Sequence, residues 1–175
     1  RIKLLVRLFF NPHSQSYLRE LAKEFDVSTN AVREELNQLK KTQLLKTEKN
    51  GRQVFYKANT EHPLFPELRS MVGKVMGIDR VIDSIVQRLG NLEKAYLTGD
   101  YAEGKDSGIV DLVLIGEIDP FHLNDLTRKT ERYIKRKIRT LVLSAAELET
   151  YMPELQNRPL LKIWEAKTPF VDGGS

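Results

Sequence analysis

The chain has no cysteine. That excludes a disulfide framework, a thiol nucleophile and a cysteine-ligated zinc, and it fits a cytoplasmic protein. Histidine is scarce as well. His13, His62 and His122 lie far apart in the sequence, so no metal site is expected, and nothing in the sequence calls for a cofactor. No apolar run approaches the roughly 20 residues that a membrane helix needs, so no membrane association is expected. The opening stretch RIKLLVRLFF lacks the long apolar core and small-residue cleavage site of a signal peptide.

What is present is an ordinary globular composition: 175 residues, 41% hydrophobic and 30% charged, enough for one domain or two small ones. The charge is uneven. Residues 1–78 carry 14 Lys and Arg against 8 Asp and Glu, a net +6, whereas residues 79–175 carry 14 against 16, a net −2. A basic half beside a near-neutral half points to a polyanion-binding module joined to a second domain.

The stretch GDYAEGKDS, residues 99–107, has the G-x-x-x-x-G-K spacing of a phosphate-cradling loop. The reading fails on chemistry. The residue after Lys105 should carry a hydroxyl for magnesium, and it is Asp106. Such a loop should also open a helix, whose amides hold the phosphates. Instead GIVDLVLIG follows, an apolar β-branched run of strand length. Strand, glycine turn, strand is a hairpin.

In the N-terminal half, Ile2, Leu5, Leu8 and Phe9 form one helical stripe over residues 2–10. The turn formers NPHSQS follow, and Leu18, Leu21, Ala22 and Phe25 mark a second helix. Asp26-Val27 is expected to make a tight turn, with Asp26 left-handed. Ser28 is then the N-cap of a third helix over 29–41, which buries Val32, Leu36 and Leu39. Thr29, Asn30, Arg33 and Asn37 project from its other side. Two strand-like runs flank Asn50-Gly51, a strong hairpin signal, and Lys46, Lys49, Arg52 and Lys57 decorate that hairpin.

Helix, tight turn, helix and basic hairpin, in that order over most of residues 1–60, resemble the winged helix-turn-helix domains of ArsR-like prokaryotic repressors. The resemblance implies binding to double-stranded DNA. The helix over 29–41 would lie in the major groove, with Thr29, Asn30 and Arg33 reaching base edges. Lys49 and Arg52 of the wing would sit against phosphate or in the minor groove, and Asn37 and Lys46 complete the candidate DNA-binding residues. It does not extend to metal sensing, because the clustered ligands are missing.

Residues 63–78 read as a connecting helix with the stripe Phe65, Leu68, Val72, Val75 and Met76. Beyond it come a helix over 79–89, strands over 93–98 and 109–115, a helix over 122–138, a strand over 140–144 and a tail of one or two short helices. This order resembles the minimal nucleotidyltransferase fold, and the whole layout resembles prokaryotic regulators fused to such a domain. Mapped by that resemblance, Gly99 and Asp100 hold the family's Gly-Ser place, and Ile109-Val110-Asp111 its D-x-D. Ile109 removes one of the two metal-binding carboxylates, and Asp100 sets an anion where phosphates would sit. The resemblance with these departures implies a vestigial nucleotide pocket of Gly99, Asp100, Ile109 and Asp111 with no catalytic residues, and a chain that is not an enzyme. Arg128, Lys129, Arg132, Lys135, Arg136 and Arg139 are expected on the long helix, as a solvated face or a second basic contact.

The expectation is therefore an α+β protein. It has a winged helix-turn-helix over 1–62, a connecting helix over 63–78, and a small nucleotidyltransferase-like α/β domain with a mixed sheet over 79–175. The expected function is DNA-binding transcriptional regulation as a homodimer, with the second domain serving dimerisation, ligand sensing or a small-molecule or protein partner. The alternative is an active nucleotidyltransferase of the antitoxin kind with an autoregulatory winged helix.

Overall fold

The computed structural model describes residues 2–167. Arg1 and residues 168–175, the end of the domain expected over 79–175, lie outside the described residues. The chain is mixed α+β and divides into two compact units. The first comprises residues 1–79 together with 100–107; the second comprises 80–99 and 108–175.

In the first unit, α1 (Ile2–Phe9) buries Leu4, Val6, Leu8 and Phe9. A short strand β1 (Gln15–Tyr17) runs directly into α2 (Leu18–Phe25). Asp26 closes α2 in the left-handed conformation at φ 52°, as expected, and the amide of Val27 reaches back to the Ala22 carbonyl. Ser28 then caps α3 (Thr29–Lys41), its hydroxyl accepting from the Ala31 amide. β2 (Leu45–Asn50) and β3 (Gln53–Ala58) pair antiparallel, and β1 adds on the far side of β3. Asn50 pairs with Gln53, so the loop proper is Gly51-Arg52, one residue later than the Asn-Gly signal suggests. Gly51 is the loop residue with positive φ, 64°, which is the glycine-first arrangement of a type II′ turn.

The connecting helix is α4 (Phe65–Met76), and it packs on α1 as part of the first unit. The Phe9 and Phe65 rings stand 6.0 Å apart. Phe65, Val72 and Met76 are buried, whereas Val75 is exposed together with Leu64 and Met71. The expected apolar stripe is thus shared between two faces.

The segment 100–107 belongs to this first unit although it interrupts a hairpin of the second. Tyr101 meets Phe10 edge-on at 6.0 Å. Asn11 donates its side-chain amide to the Ala102 carbonyl at 3.0 Å, and Arg7 donates to the Glu103 carbonyl at 3.2 Å.

The second unit begins within α5 (Ile78–Ser84) and a turn of 3₁₀ helix at 86–88. Its strands are β4 (Leu92–Thr98), β5 (Ile109–Gly116), β6 (Lys137–Leu143) and β7 (Leu160–Glu165). They form one mixed sheet in the order β6-β5-β4-β7, with β5 and β6 parallel and the other pairs antiparallel. The parallel pair is joined through α6 (Pro120–Ile134), because a parallel connection needs a crossover. α7 (Ala145–Gln156) packs on the face bearing Tyr96, Val113, Ile115 and Leu143, to which it adds Leu148 and Leu155.

Several expectations in this half need correction. The long helix stops at Ile134, not 138, because Lys135 turns left-handed at φ 54°. The following strand starts at Lys137, since residues 137–143 find backbone partners all along β5. The tail, expected to be helical throughout, ends in the strand β7, which pairs with β4. The helix expected over 79–89 breaks after Ser84 into the 3₁₀ turn.

Candidate functional site

On α3 the buried residues Val32 and Leu36 anchor one face to the unit, and α2 packs against it. Thr29, Asn30, Arg33 and Asn37 are all exposed, as expected. Arg33 donates to the Asn30 side-chain oxygen at 2.8 Å. That bond one turn apart holds the guanidinium over the N-terminal end of the helix. The resulting surface offers amide and guanidinium groups of the type that read base edges in pairs.

The hairpin carries its charges unequally. Lys46 is paired with Glu61 at 3.2 Å and Lys57 with Glu48 at 3.5 Å. Both pairs are exposed, so each contributes little to stability. Lys49 and Arg52 sit at the tip, and neither forms an ion pair with a described residue within 4 Å. Of the expected wing contacts, these two keep their charge uncommitted.

The second unit contains a cleft of about 420 Å³ above the α7 face of the sheet. Its floor includes Thr98, Gly99, Asp111 and Val113, and its wall includes Tyr151 and Arg158, the latter just past α7. Gly99 and Asp111 are adjacent: a side-chain carbon at Gly99 would lie 3.5 Å from the Asp111 carboxylate. The Thr98 hydroxyl is buried and has no hydrogen-bond partner among the described residues. Asp100 and Ile109 do not line the cleft. Asp100 opens the segment that belongs to the first unit. Of the four residues expected to form the pocket, Gly99 and Asp111 line the cleft, and Ile109 shares the Asp111 face of β5 just beyond it.

What the sequence reading misses is Arg139. It is expected on a helix face, but it lies on β6 directly beside Asp111 in the ladder. Its Nε donates to Asp111 Oδ1 at 2.6 Å and an Nη to Oδ2 at 2.9 Å, a two-pronged pair. The hydrogen bond to Asp111, and then its charge, raise the Arg139 pKa above the ordinary guanidinium value. Of the basic residues assigned to the long helix, Arg128, Lys129 and Arg132 remain on it. Lys135 and Arg136 fall in the turn, so no continuous stripe exists. Two carboxylates line the cleft, Asp111 on β5, which Arg139 engages, and Glu154 on α7. Among the described residues no three His, Asp or Glu side chains gather as metal ligands. The residues present do not make up a paired-magnesium site.

No family model and no curated protein sequence matches the chain. Two solved chains do. One comes from a mutant of the toxin-antitoxin MntA-HpeT and the other from a toxin-antitoxin with AMP-PNP. Each is 15% identical, with a TM-score of 0.37, and covers 54% of this chain and 73% or 74% of its own. One expectation falls with them. The chains it resembles are toxin-antitoxin proteins, one solved with AMP-PNP, so the expectation that this chain is not an enzyme does not stand. At that TM-score the likeness assigns no reaction to it.

Proposed function

We propose that the chain is a sequence-specific DNA-binding regulator in which a winged helix-turn-helix presents α3 to the major groove of duplex DNA. One observation carries the reading. The exposed face of α3, behind a buried anchor and a left-handed Asp26 turn, bears Thr29, Asn30, Arg33 and Asn37, with the Asn30–Arg33 bond already made. The basic tip of the hairpin, Lys49 and Arg52, supports it as the phosphate contact. The net +6 of residues 1–78 supplies the field that draws a polyanion in. The second unit serves dimerisation, ligand sensing or a partner in this reading.

The test separates the two kinds of contact. Arg33→Ala should cost ~1–3 kcal/mol on the preferred site and relax the choice at one base pair. Lys49→Ala should weaken binding to all sequences alike and lower the salt slope by about 1, since a phosphate contact carries no sequence information. Selection of bound fragments followed by footprinting measures both. Folded protein that protects no site at moderate salt would overturn the reading.

A second reading rests on the cleft, where Gly99, Asp111, Arg139 and Arg158 stand together. It makes the second unit a nucleotide-handling module of the antitoxin kind, with the winged helix regulating its own synthesis. Arg158 suits the phosphates of a nucleotide, since a guanidinium group holds phosphate two-pronged, while Arg139 is engaged by Asp111. Calorimetric titration with ATP, with and without magnesium, should then give binding that weakens at least tenfold in Arg158→Ala. Saturating ATP that releases no heat and leaves the thermal transition unmoved would refute it.

A further inference from the structure

The two edges of the sheet in the second unit differ. At β7 the pairing with β4 is interrupted by a register shift between Ala95 and Tyr96, and the edge carries Lys162 and Glu165, paired with each other at 2.6 Å. Bulges and charged side chains are the usual devices that keep an edge from recruiting another strand. β6 has neither a proline nor a shift in its seven-residue register with β5. Its charged residues sit at the start, and Arg139 is turned in to Asp111. Leu141 and Val142, 46% and 37% exposed, follow.

The backbone of β6 is open in a defined pattern. The Lys137 amide donates to the Gly108 carbonyl, so odd-numbered residues point their backbone groups toward β5. Even-numbered residues point outward. Of these, the Ile138 amide is already taken by the Glu131 carboxylate at 3.0 Å. Thr140 and Val142, both exposed, are left with outward amides and carbonyls.

We propose that β6 is a homodimer edge, on which the β6 of a second copy pairs antiparallel about a two-fold axis through Leu141. In that register Thr140 faces Val142 of the other copy, and each pair exchanges two hydrogen bonds. All the open groups of Thr140 and Val142 are then satisfied, and Ile138, capped by Glu131, is not needed. Leu141 packs on its own counterpart. Arg139 faces Leu143 of the other copy, so no basic residue lies opposite another and the pairing carries no like-charge penalty. The contact is isologous and closes at two, so it does not propagate into fibres. It stands independently of what the first unit binds.

The full-length chain tests it. Wild-type protein should run as a dimer by light scattering at micromolar concentration. Val142→Pro removes an outward amide without touching the β5 ladder, and it should halve the mass while the circular dichroism stays folded. Because the chain has no cysteine, Leu141→Cys places a single thiol on the axis. Residues opposite each other at a non-hydrogen-bonded position have Cα atoms about 4.5 Å apart, within disulfide reach. Mild oxidation should therefore link Leu141→Cys nearly completely and leave Thr140→Cys unlinked, since its counterpart is two residues out of register. A monomeric wild type would overturn the proposal and leave the edge to a strand of another protein. A dimer that survives Val142→Pro, or equal linking of the two thiols, would overturn it in favour of another interface such as the exposed Leu64, Met71 and Val75 of the first unit.

Discussion

Arg7→Ala is expected to destabilise the first unit by about 3 kcal/mol, the cost of breaking a largely buried ion pair. Arg7 is 2% exposed. Its Nε meets Glu24 at 3.1 Å, an Nη meets Glu20 at 3.5 Å, and the other Nη donates to the Ser14 hydroxyl at 2.6 Å and to the Glu103 carbonyl. Truncation leaves both carboxylates of α2 beside each other without their counter-ion. It also leaves the Ser14 hydroxyl without its donor and opens a void where the alkyl stem packed. Glu20 is 34% exposed, so water screens part of the penalty, which keeps the figure at the low end. For a unit of this size 1 kcal/mol corresponds to about 4–8 °C in Tm, so the transition should fall by roughly 12–24 °C. Arg7→Met, which keeps the stem, should recover part of the packing and none of the charge. A shift of under a few degrees in both variants, followed by calorimetry, would show that the network does not hold α1 to α2.

Gly104→Ala should be nearly as costly, for a steric reason. Gly104 sits at φ 80°, where an L side chain is strained by roughly 1–2 kcal/mol. The added carbon would also stand 2.6 Å from the Val6 carbonyl oxygen. That oxygen belongs to α1 and accepts the Phe10 amide, so it cannot retreat without loosening the helix end. With the overpacking included, about 2–4 kcal/mol is expected. The segment can instead detach from α1, giving up the Asn11–Ala102 bond and the Tyr101–Phe10 contact. Hydrogen exchange distinguishes the two outcomes from no effect. Amides 101–105 should lose protection while those of α3 retain it. Unchanged exchange and an unchanged transition would mean that the close approach at Gly104 is not maintained in solution.

Local elements that depend on neighbours in sequence were legible. The three helices of the first half follow from apolar residues at helical spacing, although in α1 the expected Ile2 is exposed and Leu4 and Val6 are buried with Leu8 and Phe9. The turns follow from Asp26, Ser28 and Gly51, whose side chains or lack of one suit a single backbone geometry. β5 announces itself by its β-branched apolar run, which is why the phosphate-loop reading of residues 99–107 could be rejected from sequence. The exposed residues of α3 were equally readable, because the face opposite a buried stripe is solvent by geometry.

The sequence by itself determined, then, the order of the first three helices, the hairpin and the mixed α+β character. Tertiary structure decided the rest. Where α6 yields to β6 is settled at Lys135, in a basic stretch that suits helix and strand equally, and β5 tips it by offering a full ladder. β7 is a strand because it pairs with the edge of β4, whereas the short apolar run LLKIWE by itself suits helix or strand. Asp111 and Arg139 are 28 residues apart in sequence and side by side in the sheet. The segment 100–107 serves the first unit only because Arg7, Asn11 and Phe10 receive it. Periodicity records which face of an element is buried. It does not record against what, and the pairing of a charge with a distant charge leaves no local trace.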